Sequence, residues 1–333
     1  MMHLGQTSSR NKLLGAVVEA LKKSFWLLVE RQNCRRFRLW LWRRHVLRSS
    51  KSSYEISAKA GYRDLDFHYP LFGPSQKNST FFILGSGSSI NELSEEDFDH
   101  IKEGVSIGIN VWAIHPFIPS AYAFETGKSG GEPAEDTLFI TDLLERRSLA
   151  ADNPKFLFLR PTLPSTTANL VKAPSEGNPE QYLYGRANLT TRLSANLPRD
   201  VERILNSMTT GRTRPNVLLD NGASVVRMLV LGFLQGFTKI VLTGVDLDNR
   251  PYFWLAPDYP HATEEILRLF SRPSTLAHST NSTENRPFTT EKAIRAVAEI
   301  LTKKYGVEVF VGSKESTLSA ALPSYKWPSS TGR

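Results

Sequence analysis

Residues 81–90 read FFILGSGSSI, so an apolar run leads directly into two glycines and three serines. A short apolar run that ends in glycines is typical of a buried strand followed by a turn through which the backbone closely approaches a ligand. Main-chain N–H groups and hydroxyls in such a turn hydrogen-bond phosphate or ribose. The turn matches neither G-x-G-x-x-G nor the lysine-containing phosphate loop. We predict that this Gly-Ser loop, residues 85–89, binds a nucleotide through Gly85, Ser86, Gly87, Ser88 and Ser89.

Apolar strands and helices alternate along the rest of the chain. The sequence predicts further strands at 105–114, 120–125, 155–160, 239–247 and 307–312 and helices at 94–104, 137–148, 221–237 and 290–305. Ser94 is a predicted N-cap, Gly236 a predicted helix stop, and residues 161–200 are predicted to be irregular. This alternation predicts an α/β fold with a Rossmann-like, mostly parallel sheet and helices on both faces. Ligands bind such sheets at the carboxyl ends of the strands, which is where the Gly-Ser loop lies.

The charge of the chain is concentrated at its N-terminus. The net charge is +8, and residues 1–60 carry 13 Lys and Arg against 3 Glu, so the remaining residues sum to −2. A basic groove for nucleic acid across the whole fold is therefore not supported. A single cysteine, Cys34, excludes an internal disulfide framework and a Cys-based zinc site. We expect a chain that works in a reducing compartment.

Residues 1–50 form a predicted basic amphipathic segment that associates with membranes. Arginines alternate there with Phe37, Trp40 and Trp42, a combination that suits an anionic membrane surface. A packed helix followed by a solvated basic stretch, or a nucleic-acid-binding arm, are the alternatives. We expect a cytoplasmic protein that is peripheral on the inner face of the membrane. Residues 51–80 are predicted to be a linker and 326–333 a disordered tail.

Four stretches in order carry a resemblance to a known family: FILGSGSSINELSEED, IGIN, YAFE and NGASVVRMLVLGFLQGFTKIVLTGVDLDNRPYFW. Together they resemble the bacterial sialyltransferases that open with a GNGPSL-type loop, a glycosyltransferase family 42-like group. The resemblance spans residues 81–125 and 215–325. It implies a glycosyltransferase domain over 81–325 that moves sialic acid or a similar acid sugar from a CMP-sugar donor. It implies a glycan or lipopolysaccharide acceptor and no cofactor or metal, and it leaves a homo-oligomer open.

The resemblance also implies roles for individual residues. Gly85, Gly87 and Ser89 stand at the glycines and serine of the family loop, whereas Ser86 replaces a donor-binding asparagine. Asn110 matches a nucleotide-binding asparagine, and Ser224 is the retained member of a Thr-Ser pair whose threonine is replaced by Ala223. Tyr252 is a candidate to replace a tyrosine near the donor phosphate. From its place at the end of a predicted strand, Glu125 is a candidate contact for a sugar hydroxyl.

Transfer to a hydroxyl requires a base whose pKa lies near the working pH, which histidine provides. His278 lies in a polar loop where the resemblance implies the base, and His261 is the alternative. Tyr252 and Tyr259 are candidates to donate to a departing phosphate. Arg212 and Arg214 are candidates for contact with an anionic substrate. The other interpretation is that they lie in a solvated loop.

Asp246 and Asp248 in VDLDN form a D-x-D pattern at a predicted strand end. Two carboxylates in this position are typical ligands for Mg²⁺ or Mn²⁺ on a diphosphate. The resemblance instead implies a structural Asp246 that bonds backbone near the donor. Two alternatives to the transferase follow: a Mg²⁺-dependent enzyme similar to the pterin diphosphokinase-related group, and a non-catalytic protein that binds membrane surfaces.

Overall fold

The computed structural model describes residues 63–73, 79–125, 128–129, 132–133, 135–148, 155–159, 181–189, 196–212, 216–221, 223–248, 250–270 and 288–328, together with residues 21, 24 and 44. Almost all of the predicted N-terminal segment 1–50 therefore lies outside the described residues, as do residues 329–333. The expected disordered tail 326–333 is wrong at Trp327, which is buried in the core and donates through Nε1 to Gly312 O over 2.7 Å. Within the described part, no helix is long and apolar enough to span a bilayer.

Nine of the described strands form one sheet in which every pairing is parallel. The strands in chain order are β1 (Arg63–Asp64), β2 (Thr80–Leu84), β3 (Val105–Ile109), β4 (Ala121–Phe124), β5 (Lys128–Ser129), β6 (Glu132–Pro133), β7 (Lys155–Leu159), β8 (Gln181–Asn188), β9 (Val217–Asp220), β10 (Lys239–Thr243) and β11 (Glu308–Val311). β5 and β6 form a separate antiparallel pair. The sheet order is β1-β8-β7-β4-β3-β2-β10-β11, with β9 pairing along the second half of β8.

The helices that connect these strands are α1 (Glu95–Glu103), α2 (Glu135–Ser148), α3 (Leu197–Thr209), α4 (Ser224–Leu234), α5 (Glu264–Phe270) and α6 (Thr290–Tyr305). Ser94 caps α1 as predicted, because its hydroxyl accepts from Asp97 N–H while the Asp97 carboxylate accepts from Ser94 N–H. Gly306 ends α6 with φ +68°, a left-handed conformation that glycine adopts without strain.

The order of the strands reverses at β2. β3, β4, β7 and β8 follow on one side of β2, whereas β10 and β11 lie on its other side. The loops after β2 and β10 therefore leave neighbouring strands in opposite lateral directions and open a crevice between them. The Gly-Ser loop lies at this crevice.

The core has two parts, one on each face of the sheet. Phe81 and Ile83 of β2 pack in the cluster that includes α3, α4 and α6, whereas Phe82 and Leu84 pack in the cluster that includes α1, α2 and α5. Successive side chains of a strand point to opposite faces, so a strand that is covered on both faces is apolar throughout. The predicted α/β class with helices on both faces is confirmed.

Several elements differ from the prediction. Residues 161–200 were expected to be irregular, yet β8 and the start of α3 lie there, and β9 and α5 were not predicted. Residues 63–73 belong to the folded domain rather than to a linker, because β1 pairs with β8 and three apolar side chains are buried. Those side chains are Leu65, Phe67 and Leu71.

Candidate functional site

Main-chain hydrogen bonds join the Gly-Ser loop to the loop after β10. Gly85 N–H donates to Thr243 O over 2.7 Å, Gly87 N–H donates to Gly244 O over 2.8 Å, and Phe253 N–H donates to Ser86 O over 3.1 Å. The amides of Gly85 and Gly87 were expected to be free for a phosphate. They are instead used within the protein, so the two loops form one connected wall.

The glycines of the loop are required by space. A Cβ atom at Gly85 would lie 2.3 Å from Gly244 O, and one at Gly87 would lie 2.3 Å from Asp246 Oδ2. Gly87 has φ −70° and ψ 155°, which any residue adopts. The close approach of the neighbouring loop, rather than backbone conformation, therefore demands glycine at residue 87.

Asp246 is a structural residue of this wall. Its Oδ1 accepts from Ser89 Oγ over 2.5 Å and its Oδ2 accepts from Ser89 N–H over 3.1 Å, while the side chain is only 4% exposed. The Ser89 hydroxyl is consequently committed to Asp246. Of the predicted loop donors, Ser86 lines the cavity, whereas Ser88 and Ser89 are not among its lining residues.

Arg250 pairs with the second carboxylate of the D-x-D pattern. Its Nε donates to Asp248 Oδ2 over 2.6 Å and its Nη1 donates to Glu315 Oε2 over 2.6 Å, with Asp246 Oδ2 and Glu92 Oε1 each 3.6 Å away. Partial burial raises the pKa of Glu92 above its ordinary value, and the neighbouring carboxylate of Glu315 adds to this effect. One guanidinium thus faces four carboxylates at the edge of the cavity.

A second polar cluster lies across the cavity from the Gly-Ser loop. Ser224 Oγ donates to Asn110 Oδ1 over 2.8 Å and to Glu125 Oε1 over 3.2 Å. Asn110 follows β3, Glu125 follows β4 and Ser224 begins α4, so three elements bring these side chains together. Asn110 has φ +57°, a left-handed conformation that asparagine tolerates better than most residues. All three residues are among those predicted from the sequence to form the site.

Arg227 contacts this cluster from its buried side. It was not among the residues predicted for the site. It is fully buried, donates through Nη1 to Asp220 Oδ1 over 2.6 Å, and donates through Nη2 to Ser224 Oγ over 2.9 Å and to Glu125 Oε1. Asp220 is also fully buried. A charged residue inside an apolar helix is rarely buried unless it is paired, and the lone arginine of SVVRMLVLGFL was the signal for this site.

These two clusters enclose a cavity of about 480 Å³ at the carboxyl ends of β2, β3, β4 and β10. Tyr252 lines it and stacks on Trp254, with ring centroids 4.5 Å apart and planes 16° from parallel. The predicted residues that line the cavity are Gly85, Ser86, Gly87, Asn110, Glu125, Ser224, Asp246, Asp248 and Tyr252. The structure therefore brings most of the predicted site to one place.

Three of the other predicted residues are not in the cavity lining. His261 and Arg212 are exposed and are not among the described lining residues, while Tyr259 directs its hydroxyl to Ile114 O at 3.5 Å. His278 and Arg214 lie outside the described residues. Among the described residues, no three His, Cys, Asp or Glu side chains gather as a metal-binding group.

No protein-family model matches the chain, and no curated protein matches it. Among solved structures it is similar to the sialyltransferase CstII from Campylobacter jejuni in complex with the substrate analogue cytidine-5'-monophosphate, with 12% identity over 76% of this chain and 87% of that chain and a TM-score of 0.42. A second CST-II structure, in complex with a trisaccharide acceptor and CMP, has 12% identity over 74% and 86% and a TM-score of 0.40. The MAf glycosyltransferase from Magnetospirillum magneticum AMB-1 has 16% identity over 83% of this chain and 39% of that chain, with a TM-score of 0.42.

Proposed function

We propose that the protein is a glycosyltransferase that moves an acid sugar from a CMP-sugar donor to a glycan acceptor. The observation that carries the proposal is the convergence of Asn110, Glu125 and Ser224 on one cavity with the Gly-Ser loop. A cavity at the strand reversal of a parallel sheet, with polar groups from several strand ends, is the usual position of a nucleotide site. The motifs that resemble the sialyltransferases supply these same residues.

The two walls of the cavity suggest how a donor would lie. The Gly-Ser loop and Tyr252 are joined by main-chain pairing between Gly87 and Tyr252, so they form one side together. We assign the phosphate to this side, where the Tyr252 hydroxyl would stabilise the departing CMP. We assign the acceptor hydroxyl's base to His278, which the sequence resemblance implies.

We propose that the reaction needs no metal. Both carboxylates of the D-x-D pattern already accept hydrogen bonds within the protein. Asp246 accepts from Ser89, and Asp248 accepts from the Nε and the main-chain N–H of Arg250. A divalent ion at the D-x-D pattern would have to displace these donors. The proposed acceptor, a surface glycan such as lipopolysaccharide, rests on the resemblance to the sialyltransferases. The proposed position on the inner face of the membrane rests on the basic segment 1–50.

The first test is thermal unfolding of the purified full chain with CMP, CDP, UDP, GDP and ATP, each with and without Mg²⁺. A ligand present at about 100 times its Kd adds roughly 2.7 kcal/mol to the free energy of unfolding, which raises the Tm by several degrees. We expect a shift with CMP that is indifferent to Mg²⁺. A shift only with ATP or a diphosphate and Mg²⁺ would overturn the proposal in favour of the diphosphokinase-like alternative.

The second test asks whether the cavity is where CMP binds. Asn110→Ala removes the acceptor of the Ser224 hydroxyl at the cavity wall, and we expect it to weaken CMP binding in calorimetry by about tenfold. The matched control is Asn206→Ala on α3, whose side chain is exposed and remote from the cavity. Equal affinity of the two variants would place the nucleotide elsewhere.

A further inference from the structure

We propose that the Glu125 corner of the cavity, formed by Glu125, Ser224 and Asn110, binds a hydroxyl pair of the ligand, and that the buried Arg227 is the positioning residue that holds this corner. The inference rests on the proposed function, because it specifies which part of the donor the cavity wall contacts. It also assigns a role to Arg227, a charged residue buried in an otherwise uncharged helix.

The hydrogen bonds within the corner determine which atoms are left for a ligand. Ser224 Oγ carries one proton, which it directs to Asn110 Oδ1 at 2.8 Å and Glu125 Oε1 at 3.2 Å, while it accepts from Arg227 Nη2. These contacts occupy Asn110 Oδ1 and Glu125 Oε1. Among contacts with the described residues, Glu125 Oε2 and Asn110 Nδ2 remain, one an acceptor and the other a donor, on two side chains that line the cavity.

An acceptor next to a donor matches a ligand hydroxyl. A hydroxyl donates its proton to the carboxylate and accepts from the amide on the same oxygen, and a second hydroxyl on the adjacent carbon extends the contact. A phosphate or carboxylate group has no proton to donate at neutral pH and would be repelled by the Glu125 charge. This corner therefore suits the neutral, hydroxylated part of the donor.

Arg227 holds the Glu125 carboxylate in its orientation. Its guanidinium contacts Glu125 and Ser224 with one terminal nitrogen and Asp220 with the other. Asp220 is itself fully buried and also lies 3.6 Å from Arg186 Nη1. A cation at hydrogen-bond distance favours the ionised carboxylate, and the rigid fork of arginine fixes its orientation. Well-packed apolar residues in place of the whole buried pair, Arg227 and Asp220 together, would be compatible with the fold, so we attribute these ion pairs to the site they hold.

Two parts of a CMP-sugar carry suitable hydroxyl pairs, the ribose and the transferred sugar. The experiment measures the Kd of the full chain by calorimetry for CMP, 2'-deoxy-CMP, 3'-deoxy-CMP and CMP-sialic acid, in wild type and in Glu125→Gln. Loss of one hydrogen bond to a charged group weakens binding about 10- to 100-fold. The glutamine variant keeps its oxygen for Arg227 and turns a donor toward the ligand, which inverts the recognition.

If the corner binds the ribose, wild type discriminates against the deoxy nucleotides and Glu125→Gln loses that discrimination. If it binds the transferred sugar, the deoxy nucleotides bind like CMP, and the advantage of CMP-sialic acid over CMP is lost in the variant. The inference is wrong if Glu125→Gln retains the wild-type ratios of Kd between CMP and each of the other ligands. The exposed control Glu299→Gln on α6 is expected to retain them. If wild type binds another nucleotide instead of CMP, the proposed function fails. The 2'-deoxy form of that nucleotide then gives the same comparison and still tests whether the corner binds hydroxyls. Binding of no ribonucleotide overturns both.

The role of Arg227 is tested with the same ratios of Kd between CMP and the other ligands. Arg227→Met alone leaves Asp220 buried without its arginine and risks unfolding, so the double variant Asp220→Asn/Arg227→Met is made beside Arg227→Lys. We expect the double variant to fold and to lose the hydroxyl discrimination, and Arg227→Lys to restore part of it because the charge is kept. A folded double variant with wild-type ratios would show that Arg227 does not position the corner, and Arg295→Met on the surface of α6 is the matched control.

Discussion

Asp246 and Ser89 are joined by two hydrogen bonds, from the Ser89 hydroxyl over 2.5 Å and from the Ser89 main-chain N–H over 3.1 Å. These residues are 157 positions apart in the chain and belong to the loops that flank the strand reversal. The carboxylate therefore joins the two loops of this wall to each other, although its sequence pattern is that of a metal ligand.

The first prediction concerns this contact. Asp246→Ala leaves the buried donors of Ser89 without an acceptor, which costs about 2–4 kcal/mol in the free energy of unfolding. Urea unfolding followed by circular dichroism measures the difference. Asp99→Ala, which removes an exposed ion pair with Lys102, should change the same quantity by less than about 1 kcal/mol. Equal stability of Asp246→Ala and wild type would contradict the structural role.

The second prediction concerns the space between the loops. Gly87→Ala places a Cβ atom against the Asp246 carboxylate and Gly244 O, so the loops must separate. Overpacking of this kind costs about 1–3 kcal/mol. We expect a lower Tm together with weaker CMP binding, measured by thermal unfolding and calorimetry. Ser88→Ala in the same loop adds no atoms and serves as the control; similar losses in both variants would point to the loop sequence rather than to the clash.

The third prediction concerns pH. The pKa of Glu92 is raised in the folded protein above its ordinary value of 4.5, first by burial and then by Glu315, so the folded chain holds this proton more tightly than the unfolded chain. Ionised Glu92 therefore opposes folding above its folded pKa, and this penalty disappears below pH 4.5, where both states are protonated. Glu92→Gln should raise the Tm at pH 7 and match wild type below pH 4. A gain that grows as the pH falls would contradict this sign.

The fourth prediction concerns the base. His278→Ala should lower turnover of a CMP-sugar donor by about 10²- to 10⁴-fold, the usual contribution of a general base, while the Kd for CMP stays within a few-fold. His261→Ala is the matched comparison, since His261 is exposed and lies beside Tyr259 rather than in the cavity wall. Initial rates and calorimetry measure both quantities. The reverse pattern, a deficit in His261→Ala alone, would reassign the base.

The central strands and the helices that cover them were predictable because their apolar patterns are local. The run KIVLT became β10, and the predicted helix 290–305 matches α6 in both bounds. β8 was missed because QYLYGRAN contains Gln, Arg and Asn, and its position depends on pairing with β7 and β1 along one half and β9 along the other. α3 was missed because Pro198 was taken for part of an irregular segment, although proline is favoured in the first turn of a helix.

The site was predictable residue by residue but not as a set of contacts. Asn110, Glu125 and Ser224 each follow a recognisable strand end or begin a helix, which is sufficient to nominate them. Their shared hydrogen bonds require the sheet order, which places β3 and β4 beside each other and brings α4 over them. The pairing of Arg227 with Asp220 depends on the unpredicted β9, so the support beneath the corner was not accessible from the sequence.

The parallel register of β2 with β10 pairs Thr80 with Lys239 and has a consequence for the order of assembly. No hairpin can nucleate a ladder between strands so distant in sequence, and the entropy of closing that long connection must be met before the contacts form. The cavity, which is lined from the loops after both strands, therefore cannot be complete before this long-range pairing has formed. During synthesis, a chain that has emerged only as far as β9 already carries Asn110 and the Gly-Ser loop, yet it lacks the half that closes around them. The two walls of the cavity therefore exist together only once β10 has paired with β2.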